Sequence, residues 1–391
     1  MKILFHTHEF NINEGGPCTK RIDSLAEHLE KQGHKVIVLT SSHNKMNEKN
    51  IERKYKIIYS YSTKKIKGNN LQRFLNNIIF GITSLFKSFT IGKIDLVVTT
   101  SPPPFISIFG YYIAKIKRAK LVYDVRDIWP DVAIEMESFK ENSIYYKIFK
   151  FIADFMYKKS DYITTVTPGK LKKIKSYVYD KQKIKYIPNG LDDNFYQFEV
   201  DNNIVKKYDL EQIFTIVYIG NIGLAQNLDS LIELAQNFVN KKNIQFLIFG
   251  DGAYKNKLVE KIRSLNLTNI KFEGKIDYCK VHTVLKYAKI SFISLKNNKM
   301  TDSVPTKMFD ALGIGCPVLL LAKGDSCEIL EKTNLGEHTE NSQNLKSKLE
   351  FMINNYEKYD NNKKYAIQYI RENYSRKKIA EKFERELIYV K

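Results

Sequence analysis

FTIVYIGNIG, residues 214–223, is an apolar run of six residues that ends in a glycine-containing turn. Leu228–Phe238 then has apolar residues at helical spacing, and Ile244–Phe249 is the next apolar run. Further strands of this kind are predicted at Asn269–Glu273, Ile290–Ile293 and Pro317–Leu321. Short apolar runs that alternate with helices predict a parallel sheet with helices on both faces.

The first half of the chain repeats this order of strand, turn and helix. Lys2–Thr7 is predicted to be a strand, a loop with Gly15-Gly16 follows, and Cys18–Gln32 is predicted to be a helix. The other predicted strands are Val36–Thr40, Leu96–Thr100, Leu121–Val125, Tyr162–Val166 and Ile184–Ile187, and the other helices are Phe105–Lys117 and Tyr145–Tyr157. The predicted fold class is therefore α/β, with two Rossmann-like, doubly wound parallel-sheet domains.

A polar stretch, Asp201–Asp209, interrupts the pattern and places the domain boundary near residue 200. We predict an N-terminal domain at residues 1–200 and a C-terminal domain at 201–374. A closing helical segment, Ser375–Val390, would pack back on the N-terminal domain. Ligands of open α/β sheets bind beyond the carboxyl ends of the strands, so two such domains would face each other across a ligand-binding cleft.

Composition excludes several classes of protein. The 391 residues contain 43% hydrophobic and 27% charged residues, which excludes a disordered or fibrous chain. Cys18, Cys279, Cys316 and Cys327 form no C-x-x-C pair, so neither a disulfide scaffold nor a cysteine-based zinc site is expected. The seven histidines have no metal-ligand spacing, and we predict no metal site and no cofactor. Without a signal peptide or a long apolar segment, a cytoplasmic protein is expected.

The net charge is unusual, because 63 basic against 43 acidic residues give +20. Such an excess attracts a polyanion, which would be a nucleic acid, an anionic lipid or a phosphorylated substrate. The alternative is a lysine-rich chain whose lysines are simply solvated.

The densest group of candidate site residues is Thr301–Gly313, which follows a predicted strand. Pro305 suits the first position of a helix, and the N–H groups of Thr306 and Lys307 would then be free to bind a phosphate. Asp310 lies three residues after Lys307, on the same helix face, where it would bind a sugar hydroxyl. The alternative is a helix with a solvated salt bridge between Lys307 and Asp310.

Glycine-rich turns follow several predicted strands. Gly220-Asn221-Ile222-Gly223 would let the backbone approach a pyrophosphate, although it is not a complete G-x-G-x-x-G motif. Gly250-Asp251-Gly252 and Gly15-Gly16 are also candidates for ligand contact. Plain tight turns are the alternative for all three.

YDVRDIWPD, residues 123–131, places three carboxylates and Arg126 at the end of a predicted strand. Acids beside an apolar patch that includes Trp129 are typical of a functional site. The alternative is a structural ion pair of Arg126 that holds the loop.

Two stretches combine a strong apolar stripe with flanking lysines. Lys64–Lys93 is the first, and Tyr145–Lys159 with the downstream Lys170–Lys175 is the second. Such helices suit an anionic bilayer surface. Core helices of the first domain, with ordinary lysines at their rim, are the alternative.

Taken as a set, these motifs resemble the retaining glycosyltransferases of family 4, which have the GT-B fold. The likeness is to the WbuB-like bacterial subgroup of aminosugar transferases of surface-polysaccharide assembly. It covers nearly the whole chain in order: Gly15-Gly16 with Arg21, YDVRDIWPD at 123–131, IPNG at 187–190, YIGNIGLAQNLD at 218–229, FGDG at 249–252 and VPTKMFDALGIGCPV at 304–318.

The resemblance implies roles for individual residues. The family's E-x7-E motif falls on Asp302 and Asp310, of which the first would face the donor sugar and the second would hold the ribose. Lys307 would lie next to the diphosphate. Arg126 stands where the family usually has a histidine, so Arg126, Asp127 and Asp302 form the predicted catalytic set. The predicted substrate-binding residues are Gly15, Gly16, Arg21, Gly220, Asn221, Gly250, Gly252, Lys275, Pro305, Thr306, Lys307 and Asp310.

The implied activity is transfer of an N-acetylated amino or deoxyamino sugar from a UDP-sugar, with retention and without a metal. The implied acceptor is an undecaprenyl-diphosphate-linked glycan at the inner face of the cell membrane, in capsule or O-antigen synthesis. Two other classes of protein stay open: an NAD(P)-dependent oxidoreductase, which needs the full glycine motif, and a basic nucleic-acid-binding protein. Nucleic acid is not among the expected partners.

Overall fold

The computed structural model describes the chain except for residues 13–14, 43–52, 64–69, 137–139, 142, 297–299 and 389–391. The chain divides into two units. Unit 1 consists of Met1–Asn189 and Arg376–Lys391, and unit 2 consists of Gly190–Ser375.

Unit 1 is built on a parallel sheet, which has seven strands within the described residues. The strands are β1 (Lys2–His6), β2 (Lys35–Ser41), β3 (Lys56–Ser60), β4 (Leu96–Ser101), β5 (Lys120–Val125), β6 (Tyr162–Thr165) and β7 (Ile184–Tyr186). Their spatial order is β3-β2-β1-β4-β5-β6-β7. The central strands β1, β2, β4 and β5 are almost wholly buried, which explains why they contain continuous apolar runs rather than alternating ones.

The helices of unit 1 connect these strands and cover the sheet. They are α1 (Pro17–Lys31), α2 (Asn70–Phe89), α3 (Pro104–Lys117), α4 (Asp131–Glu135), α5 (Ile144–Lys159) and α6 (Pro168–Tyr177). The residues at the helix starts favour these positions. Helices α1 and α3 begin with a proline. The hydroxyls of Ser143 and Thr167 accept hydrogen bonds from N–H groups in the first turns of α5 and α6.

Unit 2 has a second parallel sheet, with six strands in the described part of the chain. The strands are β8 (Phe214–Ile219), β9 (Ile244–Phe249), β10 (Ile270–Gly274), β11 (Ile290–Ser294), β12 (Val318–Leu321) and β13 (Gly336–Thr339). Its helices are α7 (Asn202–Lys207), α8 (Asp229–Asn237), α9 (Lys255–Ser264), α10 (Tyr278–Tyr287), α11 (Thr306–Gly313), α12 (Asp325–Thr333), α13 (Leu345–Asn354) and α14 (Tyr356–Tyr374). The strand order is β10-β9-β8-β11-β12-β13.

The final helix, α15 (Arg376–Leu387), belongs to unit 1 and packs against α1. Phe383 is fully buried in that contact. The carboxylate of Glu384 lies 2.8 Å from Nε2 of His28 and 3.3 Å from Nε2 of His34. A buried polar cluster therefore fixes the end of the chain to unit 1. None of the helices in the described residues has the length and apolar character needed to cross a bilayer.

These sheets confirm the predicted α/β class with two parallel-sheet domains. The predicted strands Phe214–Ile219 and Ile244–Phe249 have the same bounds in the structure. The polar stretch Asp201–Asp209, which interrupts the apolar pattern of the sequence, contains the short helix α7. The Asp201 carboxylate accepts the N–H of Asn203 at the start of α7, and Val205 is buried, so a capped helix forms in a polar sequence.

Each sheet has a switch point, at which the loops that follow two neighbouring strands run in opposite directions. In unit 2, β8 pairs with β9 on one side and with β11 on the other, so the loops after β8 and β11 diverge. In unit 1, β1 is flanked by β2 and β4 in the same way. Ligands of this type of sheet bind at such a switch point, beyond the carboxyl ends of the strands.

Candidate functional site

The switch point of unit 2 brings together two predicted site segments. Gly220 follows β8, and Lys307 lies in the first turn of α11, the helix that follows β11. A Cβ atom added to Gly220 would lie 3.0 Å from Nζ of Lys307, so the lysine reaches the glycine loop. The structure thus brings together two predicted site residues that are 87 positions apart in the sequence.

The ammonium of Lys307 is a buried cation without a hydrogen-bond partner among the described residues. It lies 3.8 Å from the ring centroid of Tyr218, in a cation–π contact. Burial lowers the pKa of Lys307 from 10.5 to about 7. The alternative of a Lys307–Asp310 salt bridge is wrong, because the amine lies on the aromatic ring instead. An unpaired cation of this kind gains strongly from a bound anion.

Tyr218, the fifth residue of β8, is a residue that the sequence analysis missed. Its hydroxyl donates a 2.6 Å hydrogen bond to the carbonyl oxygen of Asn221, and its side chain is fully buried. One side chain therefore contacts Lys307 with its ring and the 220–223 turn with its hydroxyl. The only sequence signal is a tyrosine in a strand whose neighbours are aliphatic, directly before the glycine turn.

Asp310 is half-buried on α11 and accepts a 3.0 Å hydrogen bond from the hydroxyl of Tyr278 at Oδ1. Tyr278 is the first residue of α10 and packs against Phe195 and Phe198. An aspartate is one methylene shorter than a glutamate, and here a tyrosine hydroxyl lies at the end of the shorter side chain. Sequence spacing gave no indication of Tyr278.

The start of α11 differs by one residue from the prediction. Pro305 is the residue before the helix rather than its first residue, and Thr306 begins the helix. Pro305 provides no side-chain acceptor for the first N–H groups of α11. Met308 and Leu312 are fully buried, and Asp302 is half-buried in the turn before the helix.

The glycines after β8 and β9 permit close contact between two loops. A Cβ atom at Gly250 would lie 1.8 Å from the carbonyl oxygen of Gly220, and one at Gly252 would lie 2.3 Å from that of Ile222. The N–H of Ile222 donates to the carbonyl of Asp251 at 2.9 Å. Backbone packing thus explains Gly250 and Gly252, whereas their contact with a substrate stays a prediction.

A cavity of about 400 Å³ lies beside the carboxyl ends of β9 and β10. Its lining includes Tyr208, Phe249, Glu273, Lys275 and Ile276. Lys275 is 78% exposed, and its Nζ lies 3.8 Å from Oδ2 of Asp251, the residue between the two glycines. The predicted residue Lys275 is therefore available at the rim of an open cavity.

In unit 1, Arg21 makes a buried ion pair that the sequence analysis did not foresee. Its Nε and Nη2 donate to the two carboxylate oxygens of Asp124 at 3.1 and 2.9 Å, and Nη1 donates to the carbonyl of Pro188 at 2.8 Å. Burial alone would raise the pKa of Asp124, but the Arg21 guanidinium and the Thr164 hydroxyl hold it below its usual value. Arg21 positions β5, and its contact with substrate stays a prediction.

Arg126 and Asp127 follow β5 at the carboxyl edge of the same sheet. Nη2 of Arg126 donates to the carbonyl of Pro102 at 3.0 Å, while its Nε is buried without a partner in the described part of the chain. Asp127 is half-buried. Asp124 of segment 123–131 makes its buried ion pair with Arg21, which lies outside that segment. The structural ion pair that was the alternative role for Arg126 is thus made by Arg21.

Gly15 and Gly16 precede α1, and their φ angles of 69° and 103° require glycine. No side chain caps the helix at Gly16. The adjoining residues 13–14 lie outside the described residues, and a ligand contact at this loop stays a prediction.

The two basic amphipathic stretches include α2 and α5. Both pack beside α3, and each has a row of exposed apolar side chains. Phe86 and Phe89 of α2 are 67% and 59% exposed, and Ile144 and Phe151 of α5 are 66% and 70% exposed. Phe74 is different, because its ring packs on Phe105 at 4.7 Å. The start of the first stretch, residues 64–69, lies outside the described residues.

Two protein-family models match consecutive parts of the chain. Residues 19–195 match the family described as Glycosyltransferase Family 4, and residues 200–369 match the family described as Glycosyl transferases group 1. The first match falls almost wholly in unit 1 and the second in unit 2.

Curated relatives match at low identity. A probable glycosyltransferase, WbjE, of Pseudomonas aeruginosa is 20% identical over 56% of this chain and 55% of its own length. An uncharacterized glycosyltransferase, MJ1059, of Methanocaldococcus jannaschii is 28% identical over 47% of this chain and 45% of its own length. The matched part of this chain thus spans about half the length of these relatives.

Solved structures share the whole fold at low sequence identity. HepE of Anabaena, in complex with UDP-glucose, has a TM-score of 0.78 at 14% identity, with both chains fully covered. The sucrose-phosphate synthase of Thermosynechococcus elongatus has a TM-score of 0.80 at 13% identity, with 98% of this chain and 97% of that chain covered. At such identity the likeness shows the fold, which is GT-B. With both family models and both sheets in agreement, the chain belongs to the GT-B glycosyltransferases of the family 4 and group 1 type.

Proposed function

We propose that this chain transfers a sugar from a UDP-sugar and that the diphosphate binds at the switch point of unit 2. The observation that carries this proposal is the unpaired ammonium of Lys307 beside the Gly220 turn. A diphosphate would supply the missing anion, and the uncapped N–H groups at the start of α11 would add donors. The complex of HepE with UDP-glucose supports the choice of nucleotide.

We assign the other parts of the donor to neighbouring groups. Asp310, held by Tyr278, would accept a hydroxyl of the ribose, and the cavity beside Lys275 would receive the base. The cation of Lys307 would stabilise the leaving diphosphate, a task that a metal ion performs in other enzymes. We therefore propose a metal-independent transfer.

The proposed reaction breaks the bond between the anomeric carbon and the diphosphate and forms a bond to an acceptor hydroxyl. The acceptor hydroxyl releases its proton to solvent, and the electron pair of the broken bond leaves with the UDP. We assign contact with the reacting sugar to Arg126, Asp127 and Asp302, with retention of the anomeric configuration. Replacement of Arg126 by Ala should lower kcat much more than it raises KM for the donor.

A thermal-shift screen with UDP, GDP and TDP and their sugars tests the nucleotide assignment. We expect the UDP compounds to raise the melting temperature of the wild type, and to raise that of Lys307→Met much less. Lys332→Met, which removes an exposed lysine of α12, is the matched control and should respond like the wild type. A shift by NADH instead would favour an oxidoreductase, and an unchanged response of Lys307→Met would refute the diphosphate site.

We further propose that the face formed by α2, α3 and α5 binds an anionic membrane surface, where a lipid-diphosphate-linked glycan such as an undecaprenyl-diphosphate glycan is the acceptor. Exposed apolar residues of α2, α3 and α5 form this face: Leu75, Ile82, Phe86, Phe89, Tyr112, Ile116, Ile144, Tyr145, Ile148 and Phe151. Helix α5 adds exposed lysines at 147, 150, 158 and 159. Apolar side chains with flanking lysines are complementary to an anionic bilayer. Such an acceptor fits synthesis of a surface polysaccharide with an N-acetylated amino sugar.

Sedimentation with vesicles tests this surface. The wild type should bind phosphatidylglycerol-containing vesicles and bind pure phosphatidylcholine weakly. The double variant Phe86→Ser/Phe151→Ser should lose about a hundredfold or more in partitioning, because each aromatic side chain contributes roughly 1.5–3 kcal/mol when buried. Tyr365→Ser, at an exposed tyrosine of unit 2, is the matched control. Equal sedimentation of the double variant and the control would refute the proposed surface.

A further inference from the structure

Tyr218 links the two parts of the proposed diphosphate site. Its ring lies under the Lys307 ammonium at 3.8 Å, and its hydroxyl holds the carbonyl of Asn221 at 2.6 Å. Burial raises the pKa of Tyr218, so the phenol stays neutral and donates this hydrogen bond at ordinary pH. The neutral ring is thus the contact of the Lys307 amine, and this amine becomes fully charged only when an anion binds.

Among the described residues, no counter-charge lies close to the Lys307 amine. From β8 it faces the neutral Tyr218, and on its own helix Asp310 accepts the Tyr278 hydroxyl. In the neighbouring loop, Asp251 is 3.8 Å from both Lys255 and Lys275. Burial is the cause of the lowered pKa of Lys307, about 7. Above neutral pH the amine is therefore mostly uncharged until an anion arrives.

We propose that Tyr218 is a positioning residue that holds the Lys307 amine on its ring in the ligand-free protein, and that a bound diphosphate draws the amine away from the ring and stabilises its protonated form. Nucleotide binding then takes up one proton from solution. This inference rests on the proposed function, and it adds that donor affinity depends on pH through one lysine. The arrangement keeps a buried positive charge out of the site until the phosphates can pair with it.

Calorimetry of UDP binding in buffers with different ionisation enthalpies measures this proton directly. At pH 8 the terminal phosphate of UDP, with a second pKa of about 6, is already ionised and contributes no proton. We expect the wild type to take up close to one proton per UDP. Its affinity should fall by about tenfold per pH unit between pH 7.5 and 9.

Three variants separate the parts of the inference. Lys307→Met should bind UDP more weakly, with no proton uptake and no dependence on pH. Tyr218→Phe keeps the ring and should keep the proton uptake, although the free Asn221 carbonyl should weaken binding. Tyr218→Leu removes the ring, lets the amine reach water along its half-buried stem, and should lower the proton uptake at pH 8. Circular dichroism checks that each variant is folded.

The outcomes distinguish this inference from the proposed function. Wild-type binding of UDP without proton uptake would overturn the inference and leave the diphosphate site intact. Proton uptake that persists in Lys307→Met would assign the proton to another group. Unchanged uptake in a folded Tyr218→Leu would refute the role of the ring. If UDP does not bind at all, the proposed function and the inference both fail.

Discussion

The two units share a strand order around their switch points, but a buried cation has different partners in each: Arg21 in unit 1 and Lys307 in unit 2. In unit 1, Arg21 has both oxygens of Asp124 and the carbonyl of Pro188 as partners. In unit 2, the Lys307 ammonium lies on the face of Tyr218 and has no hydrogen-bond partner among the described residues. A buried charge is costly unless it is paired, so the paired cation is a structural element and the unpaired one is prepared for a ligand.

The two units also differ in the arrangement of their exposed apolar side chains. Unit 1 has exposed aromatic side chains at Phe86, Phe89 and Phe151, on helices that pack beside α3. The exposed apolar side chains of unit 2 in the described residues, such as Leu224 and Phe351, are isolated on different elements. Scattered apolar residues are normal on a protein surface, whereas a continuous face indicates a partner.

Loss of Asp124 is expected to have the largest effect. Asp124→Ala leaves the guanidinium of Arg21 buried without its carboxylate, which should lower the free energy of unfolding by about 3–5 kcal/mol. Urea denaturation measures this change. The double variant Arg21→Met/Asp124→Leu removes both charges and should recover most of the lost stability. A change below 1 kcal/mol in Asp124→Ala would contradict the structural role of the pair.

Loss of Lys307 is expected to act in the opposite direction. Lys307→Met removes an unpaired buried amine, so the ligand-free variant should be more stable than the wild type at neutral pH by about 1–3 kcal/mol. Urea denaturation without nucleotide measures this gain, with Lys332→Met as the control. A destabilised Lys307→Met would show that the cation–π contact with Tyr218 outweighs the burial of the charge.

The pH dependence of this gain follows from the lowered pKa of Lys307. Below pH 7 the amine is charged in both the folded and the unfolded state, and its burial destabilises the fold fully. Between pH 7 and 10.5 only the unfolded state keeps the proton, so the free energy of unfolding of the wild type rises with pH. The advantage of Lys307→Met should therefore be largest below pH 7 and disappear near pH 10.5.

Loss of the Tyr278 hydroxyl is expected to have the smallest effect. Tyr278→Phe removes one hydrogen bond to Asp310 and should weaken UDP binding by about 0.5–1.5 kcal/mol, because the carboxylate is no longer held in place. Calorimetry measures the change, and Tyr365→Phe at an exposed tyrosine is the control. An unchanged Kd in Tyr278→Phe would separate Asp310 from the nucleotide.

The sequence predicts the fold well because the fold depends on local patterns. Phe214–Ile219 and Ile244–Phe249 are buried on both faces and therefore appear as continuous apolar runs with clear ends. The missed helix α7 lies in a polar stretch, where its capping residue Asp201 is a better indicator than hydrophobicity.

The site is only partly predictable because its chemistry depends on residues far apart in the sequence. Lys307 was found from its place at a helix start, but Tyr218, which contacts it, lies 89 positions earlier. Arg21 and Asp124 are 103 positions apart, and spacing alone cannot show that one neutralises the other. The glycine turns were found, whereas the packing of Gly250 against Gly220 needed coordinates.

A crystal structure of the complex with UDP tests whether the diphosphate binds at Lys307. We expect the diphosphate within hydrogen-bond distance of Nζ of Lys307 and of the turn at Gly220, with the amine no longer on the ring of Tyr218. A diphosphate bound at any other place, with the Lys307 amine still on the ring, would contradict this expectation.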